Sequence, residues 1–211
     1  MGILDSVIAA VTPEASDEQR MAARAEARAL SQGSGWLAMA LDHHEALESC
    51  FAAVKSATTE TAQRAAQKEL ALVLTGHSLA EETVLYPAMA LTDQKAHATA
   101  AYTEQSAAKV QLAALDDLEP MSQDYLDKLG HLEGAVLHHV YQEEGTWFPK
   151  LKEECGTDKA AMLTARYQEE FERYMGGAGS SMSSVGRAVS GGADMASIDA
   201  ASTRGYGPAT A

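Results

Sequence analysis

Two stretches of the sequence, HSLAEETVLYP at residues 77–87 and HVYQEEGTWFP at residues 139–149, decide the fold. They coincide at a histidine, two consecutive glutamates, an aromatic residue and a proline, and 139 minus 77 and 149 minus 87 both give 62. Residues four apart lie on one face of an α-helix, so the histidine and first glutamate of each stretch can reach the same ion. One such pair is common on helix surfaces, but two copies in a shared frame indicate a repeated metal-binding motif.

The periodicity of the apolar residues predicts that these His/Glu pairs face a core. A surface ion pair lies on the polar face of a helix, whereas a ligand set inside a bundle must lie on the apolar face. Each pair continues a row of apolar residues, and a third row includes His44 but not the adjacent His43. The rows are Leu37, Leu41, His44, Leu47, Phe51 and Val54; Leu70, Leu74, His77, Glu81 and Leu85; and Leu132, Ala135, His139, Glu143, Trp147 and Leu151.

Five side chains are therefore predicted to converge in the core: His44, His77, Glu81, His139 and Glu143. Buried carboxylates and imidazoles are costly unless they are paired or bind a metal. Imidazole and carboxylate donors without a thiolate suit two iron or manganese ions, and zinc stays open. The alternative is a hydrogen-bonded His/Glu network without metal.

The helical pattern predicts an all-α fold, an up-down-up-down four-helix bundle with flanking N- and C-terminal helices. After a first helix that begins beyond Asp17, helices are predicted at about 36–56, 61–86, 94–118, 122–148 and 158–175, two of them ending before Pro87 and Pro149. The last helix packs either outside the bundle or against a second subunit. The predicted organisation is 1–35 for the N-terminal flanking helix, 36–154 for the bundle, 155–175 for the C-terminal helix and 176–211 for a flexible Gly/Ser/Ala-rich tail.

Charge and composition exclude several classes of partner. The formal net charge of -14 disfavours nucleic acid and anionic membrane surfaces, which attract basic proteins. No apolar run approaches the length of a membrane span, and the first residues lack the basic region of a secretory signal, so we expect a cytoplasmic protein. Cys50 and Cys155 show no metal-binding spacing; free thiols are expected, with a single disulfide left open.

Together with DHHEAL at residues 42–47, the two repeats resemble the haemerythrin-like, or HHE cation-binding, family. That family carries a histidine on the first helix of its bundle, His-x-x-x-Glu on the second and fourth, and usually a histidine on the third. The resemblance covers roughly residues 36–154. It implies a four-helix bundle that holds two iron ions.

The third helix departs from the family pattern. No histidine occurs between His97 and His131, and Gln105 stands where the family's histidine is usual. Tyr102, one turn earlier, is predicted to share the core-facing stripe with Gln105. Tyr102 could supply a phenolate ligand that favours ferric iron, and Gln105 a weak ligand or a hydrogen bond; alternatively, both merely satisfy buried polar groups.

Several polar neighbours have open roles. Glu104 is the weaker ligand candidate on the third helix, since it lies about 100° round from Gln105. Glu82 and Glu144 either orient the ligands or face water. His43 and His138 are expected in solvent or at helix contacts.

The family resemblance implies a protein that binds, senses or reduces a small oxidant: oxygen, peroxide or nitric oxide. Peroxide-consuming activity is one form of this function. The alternatives are a non-enzymatic iron sensor or store that acts through metal-coupled folding, and a metal-free helical interaction module. A homodimer and an unidentified protein partner both stay open.

Overall fold

The computed structural model describes residues 15–177, and within them it contains six helices and no strand. This confirms the all-α expectation. Two of the helices are continuous through a short π-helical turn. The helices are α1, Asp17–Ser31; α2, Gly35–Ser56; α3, residues 60–90, made of Glu60–Ala80, the π-turn Glu81–Leu85 and Tyr86–Ala90; α4, Lys95–Ala114; α5, residues 123–154, made of Gln123–Gln142, the π-turn Glu143–Trp147 and Phe148–Glu154; and α6, Thr157–Gly177.

Helices α2 to α5 form a helical bundle around one apolar core. Helix α2 contacts α3, α3 contacts α4, and α4 contacts α5, and α5 also contacts α2. All four contribute buried side chains to this core, among them Phe51, Leu70, Leu112 and Leu129. The site described below lies on the same inner faces, so the packing that forms the core also positions the polar cluster.

The prediction that Pro87 and Pro149 end their helices is wrong. Both helices continue past the proline because each first passes through its π-turn. In the first, Tyr86 N–H donates to the carbonyl of Glu81, five residues back. A proline ring clashes with the carbonyl four residues before it in a regular α-helix, and the wider turn relieves that clash.

The π-turn of α3 leaves a carbonyl that Tyr102 satisfies. Pro87 has no N–H to offer to Glu82 O, the acceptor that would continue the five-residue pattern. The Tyr102 hydroxyl donates to that carbonyl at 2.6 Å. Tyr102 is therefore a side-chain cap for the π-turn, and the residue is 37% exposed. Its predicted position on the core-facing stripe is wrong.

The two flanking helices pack directly on the bundle. Helix α1 begins with a capping box in which Ser16 and Gln19 bond each other's backbone. It joins α2 through residues with positive φ, including Gln32 at 52° and Gly33 at 70°. Helix α6, the last helix, packs on the outside of the bundle against α2 and α3. Tyr167 and Phe171 of α6 are buried there.

Some expectations fall at the edges of the described range. The predicted tail, 176–211, lies outside the described residues except for its first two positions, which belong to the end of α6. Both cysteines are described, and each is a free thiol. Among the described residues, no helix combines the length and apolarity needed to cross a membrane.

The close approach of α3 and α6 at Gly76 gives a stability test. A Cβ at Gly76 would lie 3.1 Å from Tyr174 Cδ1 and 3.3 Å from Met175 Sδ. We expect Gly76→Val to lower the free energy of unfolding by about 1–3 kcal/mol through overpacking, measured by urea denaturation.

Gly130→Ala is the matched control, because a Cβ there meets no described atom within 4 Å. It should raise stability by up to about 1 kcal/mol through helix propensity. Equal effects of the two substitutions would contradict the close packing of α6 on α3.

Candidate metal centre

The five side chains predicted to converge do come together in the structure. His44 from α2, His77 and Glu81 from α3, and His139 and Glu143 from α5 are all buried. Four of them, His44, His77, Glu81 and Glu143, offer ligand atoms that lie within 4.8 Å of one another. The inward orientation inferred from periodicity is therefore right for all five residues.

The two carboxylates form the middle of the cluster. Each lies within ion-pair distance of its own repeat's histidine, since His77 Nε2 is 3.2 Å from Glu81 Oε2 and His139 Nε2 is 3.3 Å from Glu143 Oε1. His44 Nε2 faces the other oxygens, at 3.6 Å from Glu81 Oε1 and 3.2 Å from Glu143 Oε2. Each carboxylate thus presents one oxygen to His44 and the other to the opposite side of the cluster.

The inward-facing atoms fit a metal ion better than they fit one another. His44 Nε2, Glu81 Oε1 and Glu143 Oε2 are buried and make no hydrogen bond to any described residue. Their separations are within ion-pair range, but their directions are not those of hydrogen bonds. Orphaned buried donors and acceptors are rare in proteins, and nitrogen and carboxylate oxygen are the ligands of iron, manganese and zinc.

Electrostatics within the cluster are strongly coupled. Burial and the facing Glu143 raise the pKa of Glu81 to about 7. Burial also opposes the charge on Glu143, but His139 and His44 outweigh it and hold the pKa of Glu143 below its usual range. Burial opposes the imidazolium form of His139, yet Glu143 and Glu104 outweigh burial and raise its pKa to about 10. A metal cation would replace protons held on this cluster.

Tyr86 belongs to the cluster, although the periodicity of the sequence does not predict it. Its hydroxyl is fully buried and lies 3.0 Å from Glu81 Oε2, 2.9 Å from Glu143 Oε1 and 3.0 Å from His139 Nε2. In a regular α-helix, residues five apart point about 140° away from each other. The π-turn removes that rotation and returns Tyr86 to the face of Glu81.

A signal for Tyr86 was present in the two repeats. Tyr86 and Phe148 occupy equivalent positions, and only the first carries a hydroxyl. Phe148 packs its ring parallel to His44, with centroids 6.3 Å apart. The hydroxyl of Tyr86, which Phe148 lacks, is therefore a difference between the repeats that can be read from the sequence.

Gln105 reaches the site and Tyr102 does not. Gln105 Nε2 donates to Glu81 Oε2 and to the Tyr86 hydroxyl, both at 2.6 Å. The Tyr102 hydroxyl is bonded instead to the Glu82 carbonyl, so of the two roles left open for it the structure favours satisfying a polar group. Tyr86, whose ring meets that of Tyr102 edge-on at 5.1 Å, supplies the phenol at the cluster.

Two carboxylates outside the cluster orient two of its histidines. Glu144 Oε1 accepts from His44 Nδ1 at 2.9 Å, and Glu104 Oε2 accepts from His139 Nδ1 at 2.8 Å. A proton fixed on Nδ1 leaves Nε2 free to bind a metal, which is the usual arrangement of a histidine ligand. Glu144 therefore takes the first of the two roles left open for it.

A side chain of helix α6 contacts His77, the third histidine of the cluster. The Tyr167 hydroxyl lies 3.5 Å from His77 Nδ1 and 3.0 Å from His43 Nδ1. His43 is 6% exposed and stacks on Phe171 at 3.8 Å. Of the two positions expected for His43, in solvent or at a helix contact, the structure shows the second, because α6 covers this face of α2.

The remaining polar candidates lie away from the cluster. Glu82 forms an ion pair with Lys109 at 2.6 Å. His97 stacks on Trp147 with centroids 5.7 Å apart, and His138 bonds the side chain of Gln142. His131 is exposed.

Comparison with known proteins identifies one family. The family described as hemerythrin HHE cation binding domain matches residues 37–151. A DNA nickase from Nostoc sp. (strain PCC 7120) is 27% identical over 107 residues, which is 49% of this chain and 30% of that protein. The chain therefore spans less than a third of that relative's length. No solved structure matches the chain.

The protonation of the cluster predicts how stability of the metal-free protein depends on pH. The pKa of His139 is about 10 in the folded protein and about 6.5 in an unfolded chain. Its contribution is fully present below pH 6.5 and is lost as the pH rises through 10. The melting temperature should therefore fall across this interval, as measured by circular dichroism.

Glu81 acts in the same direction at lower pH, because its folded pKa of about 7 exceeds the usual value of 4.5. His139→Gln should flatten the slope between pH 6.5 and 10, whereas His131→Ala, at an exposed position, should not. A melting temperature that rises over this interval would contradict the assigned protonation.

Proposed function

This chain belongs to the hemerythrin HHE cation-binding family, and on that premise we propose that it is a cytoplasmic di-iron protein that binds and reduces a small oxidant. One observation carries the proposal. Five histidine and glutamate side chains meet in one buried cluster, and three of its inward-facing atoms, His44 Nε2, Glu81 Oε1 and Glu143 Oε2, have no hydrogen-bond partner among the described residues. We also propose an up-down-up-down order for α2–α5, which the short segments 57–59 and 91–94 favour.

The arrangement of the carboxylates supports two ions rather than one. Glu81 and Glu143 each direct one oxygen toward His44 and the other toward Tyr86. A carboxylate with oxygens on two sides can bridge two metal ions. We propose that His44, His77 and His139 would hold two metal ions together with Glu81 and Glu143.

Tyr86 and Gln105 lie on the side of the two glutamates that faces away from His44, so they distinguish the two sides of the proposed metal site. A phenol oxygen is a hard ligand that favours ferric iron once its proton is lost. Burial and the two carboxylates raise the pKa of Tyr86 well above its usual value, so the metal-free protein keeps this proton. Gln105 donates to the phenol oxygen and to Glu81, which holds both in place.

The space beside the cluster suits an oxidant of very few atoms. A cavity of about 10 Å³ is lined in part by His77, Gln105 and His139, which is room for about one water molecule. Oxygen, nitric oxide and hydrogen peroxide approach this size. Two ferrous ions would supply the two electrons that convert one hydrogen peroxide and two protons into two water molecules.

A stabilised ferric state favours peroxide reduction over reversible oxygen carriage. The alternative is an iron sensor or store, supported by the outer bonds that tie the cluster to α1 and α6. We do not propose DNA cleavage. The match to the DNA nickase covers only 30% of that protein's length, and a chain with a net charge of -14 is poorly suited to bind DNA.

Peroxide titration of the ferrous protein tests the proposal. We expect two bound irons per chain and oxidation of both by one equivalent of hydrogen peroxide, followed anaerobically by absorbance. His77→Ala should fail to retain this iron, while His131→Ala should behave as the wild type. An iron-loaded protein that does not react, yet melts at a much higher temperature than the metal-free form, would support the sensor.

The visible spectrum of the ferric protein tests the role of Tyr86. We expect a broad phenolate-to-iron band that is lost in Tyr86→Phe and kept in Tyr102→Phe. Tyr102→Phe should instead lower the free energy of unfolding by about 1 kcal/mol, because it removes the bond to the Glu82 carbonyl. A band that survives in Tyr86→Phe would exclude this tyrosine as its source.

A further inference from the structure

Helix α1 lies outside the family match yet reaches the cluster through one side chain. Arg24, on α1, has a guanidinium that is largely buried. Its Nε donates to Glu144 Oε1 at 2.9 Å, and its Nη2 donates to Glu48 Oε1 at 2.7 Å. Glu144 is 1% exposed and sits in the π-turn of α5, against which α1 packs.

The same oxygen of Glu144 serves both Arg24 and a histidine of the cluster. Glu144 Oε1 accepts from Arg24 Nε and from His44 Nδ1, both at 2.9 Å. Its other oxygen is buried and has no hydrogen bond to any described residue. The position of the Glu144 carboxylate therefore depends on Arg24, whose Nε is one of the two donors to this buried oxygen.

We propose that Arg24 is a positioning residue for the metal centre, acting through Glu144 on His44. Arg24 holds the carboxylate that keeps the proton on His44 Nδ1, and this leaves His44 Nε2 turned toward Glu81 and Glu143. The inference rests on the proposed metal site. It assigns to a helix outside the family's matched region a part in building that site.

Arg28 is an unusually close control. It lies one turn further along α1 and also pairs with two acidic residues, in its case both on α2: Asp42 at 2.5 Å and Glu45 at 2.7 Å. These two carboxylates are exposed, at 64% and 53%. Arg24→Met and Arg28→Met therefore each remove two ion pairs of α1, but only the first removes the partner of Glu144.

The test is a cobalt(II) titration of the full-length protein against a chelating competitor, followed by the cobalt visible spectrum. Outer partners of histidine ligands typically contribute about 10- to 100-fold to metal affinity. We expect Arg24→Met to weaken cobalt binding by about 10-fold and to change the spectrum. Arg28→Met should leave both at wild-type values.

A double substitution identifies the route of the effect. In a Glu144→Gln background, Arg24→Met should weaken cobalt binding no further, because the intermediate carboxylate is already gone. Arg24→Lys should recover part of the affinity, since lysine keeps the charge without the guanidinium geometry. If Arg24→Met does not fold, Arg24→Lys is compared with Arg28→Lys, and weaker binding is expected only in the first.

The outcomes separate this inference from the proposed function. A wild-type protein that binds neither cobalt nor iron would overturn the proposed metal centre, and the role of Arg24 with it. A wild-type protein that binds cobalt, with Arg24→Met and Arg28→Met equal in affinity and spectrum, would overturn the role of Arg24 alone. A loss of melting temperature shared by both variants would then be a purely structural effect of α1.

Discussion

The fold is built around the meeting of two fully buried carboxylates, Glu81 and Glu143. Two such groups repel each other and lose hydration, so they require positive charge and hydrogen-bond donors on every side. Imidazoles from three helices, a phenol and an amide surround them. The bundle must hold α2, α3, α4 and α5 in a fixed register for these groups to meet, and the apolar core below the cluster does this.

The support for the cluster extends outward in a second layer. Each of the three histidines directs Nε2 inward and has a polar partner at Nδ1: Glu144 for His44, Tyr167 for His77 and Glu104 for His139. These partners come from three different helices. One of them, α6, flanks the bundle, and the other flanking helix reaches the same layer through Arg24. The flanking helices thus take part in the polar architecture as well as in packing.

Much of the centre follows from spacing alone, because a four-residue interval and an apolar row specify a helical face without knowledge of the neighbours. That reasoning places His77, Glu81, His139 and Glu143 inside. It fails where the helix changes its own period, as at Tyr86, which a π-turn brings back to the ligand face. It also leaves open whether a residue off the apolar row faces solvent or another helix, as for His43, which α6 covers. Glu82 and Glu144 illustrate the same limit: they are equivalent in the repeats, yet one forms a surface ion pair with Lys109 and the other is buried beneath α1.

The π-turns also determine which changes in the chain the site could survive. Deleting one residue between Glu81 and Tyr86 would restore the ordinary helical repeat, rotate the following segment by about 100°, and set the Pro87 ring against the preceding turn. The phenol would leave the cluster even though every side chain in it was still encoded. This segment should therefore accept altered side chains at its exposed positions while rejecting an insertion or deletion, because the register of the helix depends on the number of residues here.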